Sequence, residues 1–263
     1  NNQIELQKKT EKVVKIKGFY EDSTYHMYAI RMERLVNLKT FVNNYIGDWS
    51  RVPVDFVNQV GLSVTDVIQQ MRKMKAVHLD IKLDNLFIRV QGRTADVVLG
   101  DFEAGNIKYE GTRTPGTKIP IYSEEVVAPE ILTSQSGMYP CNHFCDQYSL
   151  GATLYALLNG GQYVKTMVCL KLYPNLPKPN RCPDDLFRII KKMMSLEPDR
   201  RYQNYDDLIR DLLQVRKGLT ESASRRGGDD NLGKNNLGTR NNNYRGILFA
   251  VFLTAAVVSI IFG

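Results

Sequence analysis

The stretch VHLDIKLDNLFI, residues 77–88, constrains this chain more than any other. It sets His78, Asp80, Lys82 and Asn85 in one short loop between a helical pattern and a strand-like one. Moving a phosphoryl group from a nucleotide takes a carboxylate that orients the attacking hydroxyl and accepts its proton. It also takes a cation near the transferred group and oxygen ligands for Mg2+. Asp80, Lys82 and Asn85 supply these three functions at one place. Downstream, VVLGDFEAG sets Asp101 after an apolar strand, a natural position for a second Mg2+ ligand.

The flanking sequence predicts an α+β fold. Residues 13–36 carry two β-type runs, VVKIKGFY and YHMYAIRMERL, which read as a hairpin turning at Glu21-Asp22-Ser23. Residues 37–77 have helical spacing, and Val57, Val60, Val64, Val67, Ile68 and Met71 mark an apolar stripe whose plain use is core. LFIRV and ADVVLGDF are strand-like about the turn Gln91-Gly92-Arg93. Helical patterns return over 146–217, broken by Pro174, Pro177, Pro179 and Pro183. Strands first and helices afterwards imply segregated layers.

The net charge of +7 is spread along 263 residues, which favours a solvated surface over a nucleic-acid groove. Four cysteines do not make a disulfide framework in a chain this long, so a reducing compartment is expected. Cys141, His143 and Cys145 crowd together, but Zn2+ usually takes four ligands and Cys169 and Cys182 show no paired spacing. The cluster reads as a loop ahead of a helix.

Beyond residue 217 the texture changes. Residues 218–245 are Gly/Asn-rich with few large apolar groups, and read as a flexible linker. Residues 247–262, ILFAVFLTAAVVSIIF, carry no charge. As a helix they span about 24 Å against a hydrocarbon core of about 30 Å. Gly246 and Gly263 or local thinning can make up the difference. A core helix behind such a linker has little to pack against, so 246–263 is expected to be a single transmembrane tail segment. Arg240 and Arg245 precede it, consistent with a cytosolic N-terminal side.

The loop and the later Asp101 resemble the catalytic loop H-x-D-x-K-x-x-N and the D-F-G motif of protein kinases. Further marks come in order. Ala128-Pro129-Glu130 looks like the A-P-E motif. Asp146 matches a buried Asp that supports the catalytic-loop backbone, and Arg201 matches the Arg that pairs with the A-P-E Glu. The resemblance covers residues 13–214. It implies a protein-kinase-like fold over 1–217, with a truncated small β-rich N-lobe (1–36) and a mainly helical C-lobe (37–217). It also implies a gatekeeper at Met32 and a hinge from Glu33 to Leu35 whose backbone binds adenine. Lys82, two positions after Asp80, is the serine/threonine form. Thr117 resembles the docking-loop threonine that contacts the catalytic Asp and Lys.

Four departures stand out. Leu79 replaces the Arg that usually precedes the catalytic Asp, which predicts little dependence on activation-loop phosphorylation. Glu103 stands where D-F-G has Gly. Counted from Thr117, the docking loop carries an insertion that includes Glu124 and Glu125, an acidic surface suited to basic peptides. No stretch before Val13 matches the glycine-rich loop or the strand with the ATP-orienting Lys. Upstream sequence is expected to supply them, and residues 1–263 alone are expected to transfer phosphate poorly.

The resemblance therefore implies a serine/threonine protein kinase that uses ATP and Mg2+ on protein hydroxyls. Asp80 and Lys82 would be catalytic, Asn85 and Asp101 would hold metal and cofactor, and the tail would anchor the chain in a membrane with the kinase domain in the cytosol. A secreted, GPI-type reading of the tail poorly suits an ATP-using domain. The alternative is a catalytically impaired pseudokinase acting as a membrane-tethered scaffold. Glu103 and the unmatched N-terminal elements motivate it; intact Asp80, Lys82, Asn85 and Asp101 argue against it.

Overall fold

The computed structural model describes residues 2–91, 94–102, 108–109, 111–112, 123–133 and 140–228. A short helix α1 (Asn2–Gln7) leads into an antiparallel hairpin of β1 (Ile16–Asp22) and β2 (Met27–Met32). Asp22 sets its turn by accepting from the backbone amides of Thr24 and Tyr25 at 3.0 and 3.3 Å. Both faces of this ribbon are open: Phe19, Tyr20, Tyr25, Met27, Tyr28, Ile30 and Met32 are each about half exposed or more.

The chain then enters β3 (Val36–Asn37) and α2 (Leu38–Phe41), where Asn37 caps the helix by accepting from Lys39 N at 2.9 Å. The helical pattern read over 37–77 is not one helix. Gly47 ends the first piece in a left-handed conformation (φ 73°), and Pro53 starts α3 (Val54–Lys73). Every residue of the predicted stripe, Val57 to Met71, is buried on α3.

After β4 (Ala76–Val77) come β5 (Leu86–Gln91) and β6 (Thr94–Leu99), paired with β3 in the order β3-β5-β6. Residues 12–14 run beside β6, with Val14 N donating to Leu99 O and Leu99 N to Lys12 O, each at 2.9 Å. Two short pairings, of β7 (Lys108–Tyr109) with β4 and of β8 (Gly111–Thr112) with β9 (Pro140–Cys141), flank α4 (Pro129–Leu132).

Helices build the rest: α5 (His143–Leu158), α6 (Thr166–Leu172), α7 (Asp184–Met193) and α8 (Tyr205–Gly228). Buried from Cys145 to Leu157, α5 lacks a solvent-facing polar side there because α3 and α7 cover it. At Gly151 it comes so near α7 that a Cβ would lie 2.8 Å from Met194 Cγ. On α7, Leu186, Ile189, Ile190 and Met193 face inward, with Asp184 and Asp185 in the first turn and Lys191 and Lys192 in the last, the arrangement the helix dipole favours.

The stretch 218–228, read from composition as the start of a linker, is instead the end of α8. Lys217 and Glu221 pair one turn apart at 3.9 Å there, and the Gly/Asn-rich composition sets in only afterwards. The tail 246–263, Glu103 and Thr117 lie outside the described residues. Among the described residues no helix is long and apolar enough to cross a membrane. The layout, a small strand-rich part followed by a helical one, is the α+β arrangement the sequence implied.

Candidate active site

Loop 78–85 takes its shape from α5 and from the segment between α5 and α6. Asp146, fully buried in the first turn of α5, accepts from His78 N at 2.9 Å and Leu79 N at 2.7 Å. Thr153 donates to Ile81 O at 2.9 Å, and the Tyr163 hydroxyl accepts from Leu83 N at 2.7 Å. Leu79, Ile81 and Leu83 are buried in the core. Leu79 holds a φ of 67°, an uncommon conformation for a side chain of its size, and the carboxylate of Asp146 fixes it.

His78 is fully buried. Its Nδ1 accepts from Asp80 N at 3.3 Å, so the proton sits on Nε2, which donates to Gly100 O at 3.1 Å. Phe102 lies edge-on to the ring, centroids 4.9 Å apart. Burial lowers the imidazole pKa below its ordinary 6.5, against the raising pull of the Gly100 bond and of Asp80 and Asp101. The folded chain therefore binds fewer protons here than the unfolded one. Its contribution to stability is complete above about pH 6.5 and is lost as pH falls below that value. Melting temperatures should accordingly decline between pH 7 and pH 5, and His78→Asn should flatten that decline.

Gly100 joins the loop to Asp101. Its amide donates to Asn85 O at 2.9 Å, and a Cβ on it would meet Val14 Cγ2 at 2.7 Å and Phe87 Cε2 at 2.8 Å. Only glycine fits this close approach. Asp101 comes next at φ 60°, with its carboxylate exposed and without a hydrogen-bond partner among the described residues.

Asp80 is 7% exposed. Its Oδ2 lies 2.8 Å from Lys82 Nζ and 3.2 Å from Asn85 Nδ2, which also donates to Asp80 O at 2.8 Å. Its Oδ1 is buried with no partner among the described residues. A buried carboxylate oxygen left without a donor is costly, and an incoming hydroxyl is the kind of group that would satisfy it. Asn85 spends its side-chain nitrogen on Asp80, and its side-chain oxygen Oδ1 accepts nothing among the described residues. That oxygen and the Asp101 carboxylate are hard oxygen donors, a set that fits Mg2+.

Lys82 Nζ also donates to Ser123 Oγ at 2.7 Å. Ser123 thus makes with Lys82 a contact of the kind that resemblance gives to Thr117, which lies outside the described residues. The signal was present: Ser123 stands five positions before Ala128, the spacing of T-x-x-Y-x-A-P-E, and counted from Ser123 no insertion is needed. Lys82 and Ser123 border a cleft of about 260 Å3 lined further by Lys39, Asp84, Glu125 and Tyr163. Lys39 pairs with Asp84 at 2.7 Å across it.

Of the residues expected on the adenine side, Met32 ends β2 at 49% exposure, and Glu33 and Leu35 lie in the connector to β3. Glu33 does not face outward. Its carboxylate is half-buried against Arg89 of β5, a contact with no signature in the sequence. Below the loop, Glu130 and Arg201 form a two-pronged ion pair, both nitrogens at 2.8 Å. Cys145 Sγ donates to Glu130 Oε1 at 3.3 Å.

A strand-rich part, a helical part, and a carboxylate–ammonium–amide loop hung from a buried Asp define the protein-kinase-like class. Comparison with known families makes this specific: the model for the protein kinase domain matches residues 2–215, and the chain belongs to that family. Serine/threonine-protein kinase PLK1 of Xenopus tropicalis is 28% identical over 149 residues, 54% of this chain and 23% of that protein. MAP kinase-activated protein kinase 2 of Homo sapiens is 26% identical over 158 residues, 55% and 38% of the two chains. A probable serine/threonine-protein kinase of Clostridium perfringens is 24% identical over 198 residues, 72% and 28%. The chain spans well under half the length of these relatives.

Proposed function

We propose that this chain carries the phosphotransfer centre of a serine/threonine protein kinase that moves the γ-phosphoryl group of ATP to protein hydroxyls. The observation that carries the reading is the unpartnered, buried Oδ1 of Asp80, with Oδ2 held by Lys82 and Asn85. Asp80 orients the substrate hydroxyl and takes its proton. Lys82, placed between Asp80 and Ser123, supplies positive charge where negative charge develops on the phosphoryl group. Asn85 and Asp101 hold Mg2+, which when bound neutralises phosphate charge. The backbone of residues 33–35 receives adenine, with Met32 beside it. The cleft between Ser123 and Tyr163 takes the peptide flanking the hydroxyl, and the serine/threonine relatives support that choice of acceptor.

The uncharged run 247–262 supports a further part of the proposal, that the chain is held at a membrane by 246–263 with the kinase domain on the cytosolic side. Deleting 246–263 should release the protein from floated membrane fractions; retention there would refute the anchor.

The full-length protein is tested with γ-labelled ATP, Mg2+ and a generic basic protein. Label should appear on serine and threonine and vanish when Mg2+ is chelated. Nucleotide binding without label would replace the enzyme with a scaffold. Absence of nucleotide binding would remove the enzyme and leave only a scaffold that keeps the fold without turnover.

A further inference from the structure

Arg89 is a basic residue in the interior, its side chain 5% exposed, on a strand whose neighbours Leu86 and Ile88 serve the core. The phosphoryl transfer assigned to Asp80 and Lys82 makes no use of it. Each of its three guanidinium nitrogens is nonetheless engaged. Nε donates to Glu33 Oε2 at 3.0 Å and Nη2 to Val13 O at 2.7 Å, while Nη2 also meets Glu33 Oε1 and Nη1 meets Glu11 O. Glu33 is held from a second side as well. Lys15 N donates to Glu33 Oε1 at 2.7 Å, and Glu33 N donates to Lys15 O at 3.0 Å. Burial of Glu33 opposes its ionisation, yet the bonds from Arg89 and Lys15 outweigh it and keep the carboxyl below its ordinary range.

The consequence is geometric. Residues 33–35 connect β2 to β3, and a connector of this length ordinarily owes its conformation to little beyond its ends. Here its first residue is drawn inward by a two-pronged ion pair to β5, the strand that begins one residue after Asn85. Separating Arg89 from Glu33 leaves a buried charge without a partner, so the pair moves as a unit.

We propose that Arg89 is a positioning residue for the nucleotide: through Glu33 it fixes the backbone of residues 33–35 in the conformation that receives adenine and sets its distance from the metal-holding end of β5. This rests on the kinase reading and adds to it a residue that touches neither ATP nor substrate.

The experiment measures equilibrium binding of a fluorescent ATP analogue to the full-length protein, together with separate KM values for ATP and for a peptide. Arg89→Met should weaken nucleotide binding and raise the ATP KM about tenfold, as loss of a group that orients a binding residue does elsewhere, with the peptide KM unmoved. Arg89→Lys, which keeps charge but loses the fork, should fall between. Glu33→Gln combined with Arg89→Met should be no worse than Arg89→Met alone, the signature of one coupled pair. Variants that melt earlier but bind nucleotide like the wild type overturn the proposal, as does a variant that binds more tightly. Where Arg89→Met does not fold, Arg89→Lys and Glu33→Gln decide the matter by the same measurements. A wild-type protein that binds no nucleotide instead refutes the kinase reading itself.

Discussion

Asp80→Asn should lower phosphate transfer by about a thousandfold while leaving the protein folded, since a positioned general base contributes about 10^2 to 10^4 in rate. The change keeps size and planarity and removes only the charge. At this site charge is what matters. Oδ2 sits 2.8 Å from Lys82 Nζ, and an amide there places either a weaker acceptor or a repelling NH2 against an ammonium. Oδ1, which no group of the described chain satisfies, would no longer offer a basic oxygen to a substrate hydroxyl. Stability should change little, because loop 78–85 is fastened by Asp146, Thr153 and Tyr163 and not by the Asp80 side chain. ATP binding should persist. Transfer within threefold of wild type by the folded variant would show that Asp80 is not the base and would dismantle the proposed chemistry.

The second large effect concerns stability. Arg201 has a side chain with no exposure and donates to both oxygens of Glu130, to Ser195 O at 2.9 Å and to Phe144 O at 2.8 Å. Replacing it with Met strips Glu130 of its partner inside the fold and leaves two carbonyl groups without their donor. Breaking a buried pair from one side costs about 3–5 kcal/mol. At roughly 2–4 °C per kcal/mol for a chain of this size, the melting temperature should drop by about 10 °C. The double replacement Arg201→Met with Glu130→Met should recover part of the loss, because no unpaired charge then remains. A single variant that melts within 2 °C of wild type would mean that the pair, although well formed, does little for the fold.

How much of the site was legible in the sequence depended on how local the information was. Asp80, Lys82 and Asn85 lie within six positions, so one loop displays them together, and the structure does bring their side chains into contact. The Glu130–Arg201 pair and the tie from Asp146 to the loop are distant in sequence, and were legible only because a family resemblance linked the segments. Where neither aid existed the reading failed. Arg89 and Glu33 are 56 positions apart, and neither the hinge expected at Glu33 nor the strand pattern around Arg89 points to the other. Ser123, five positions before Ala128, has the spacing of the docking-loop threonine, whereas Thr117 of the GT at 116–117 lies outside the described residues. The helical spacing over 37–77 concealed a break, since Gly47 and Pro53 act through backbone geometry that apolar periodicity does not register.

The openness of the β1–β2 ribbon has a consequence for how the site withstands stress. Among the described residues the ribbon pairs with no third strand, a two-stranded ribbon is barely self-supporting in water, and seven of its large apolar side chains are exposed. Residues 33–35 follow its second strand and are tied to the interior at one point, Glu33 with Arg89 of β5, whereas the loop bearing Asp80, Lys82 and Asn85 is fastened at His78, Leu79, Ile81 and Leu83. The proposed adenine end and phosphate end of the centre are therefore unequal in robustness. Mild denaturant should loosen the first while the second keeps its shape, so the grip on the base is surrendered before the chemistry at the phosphate is.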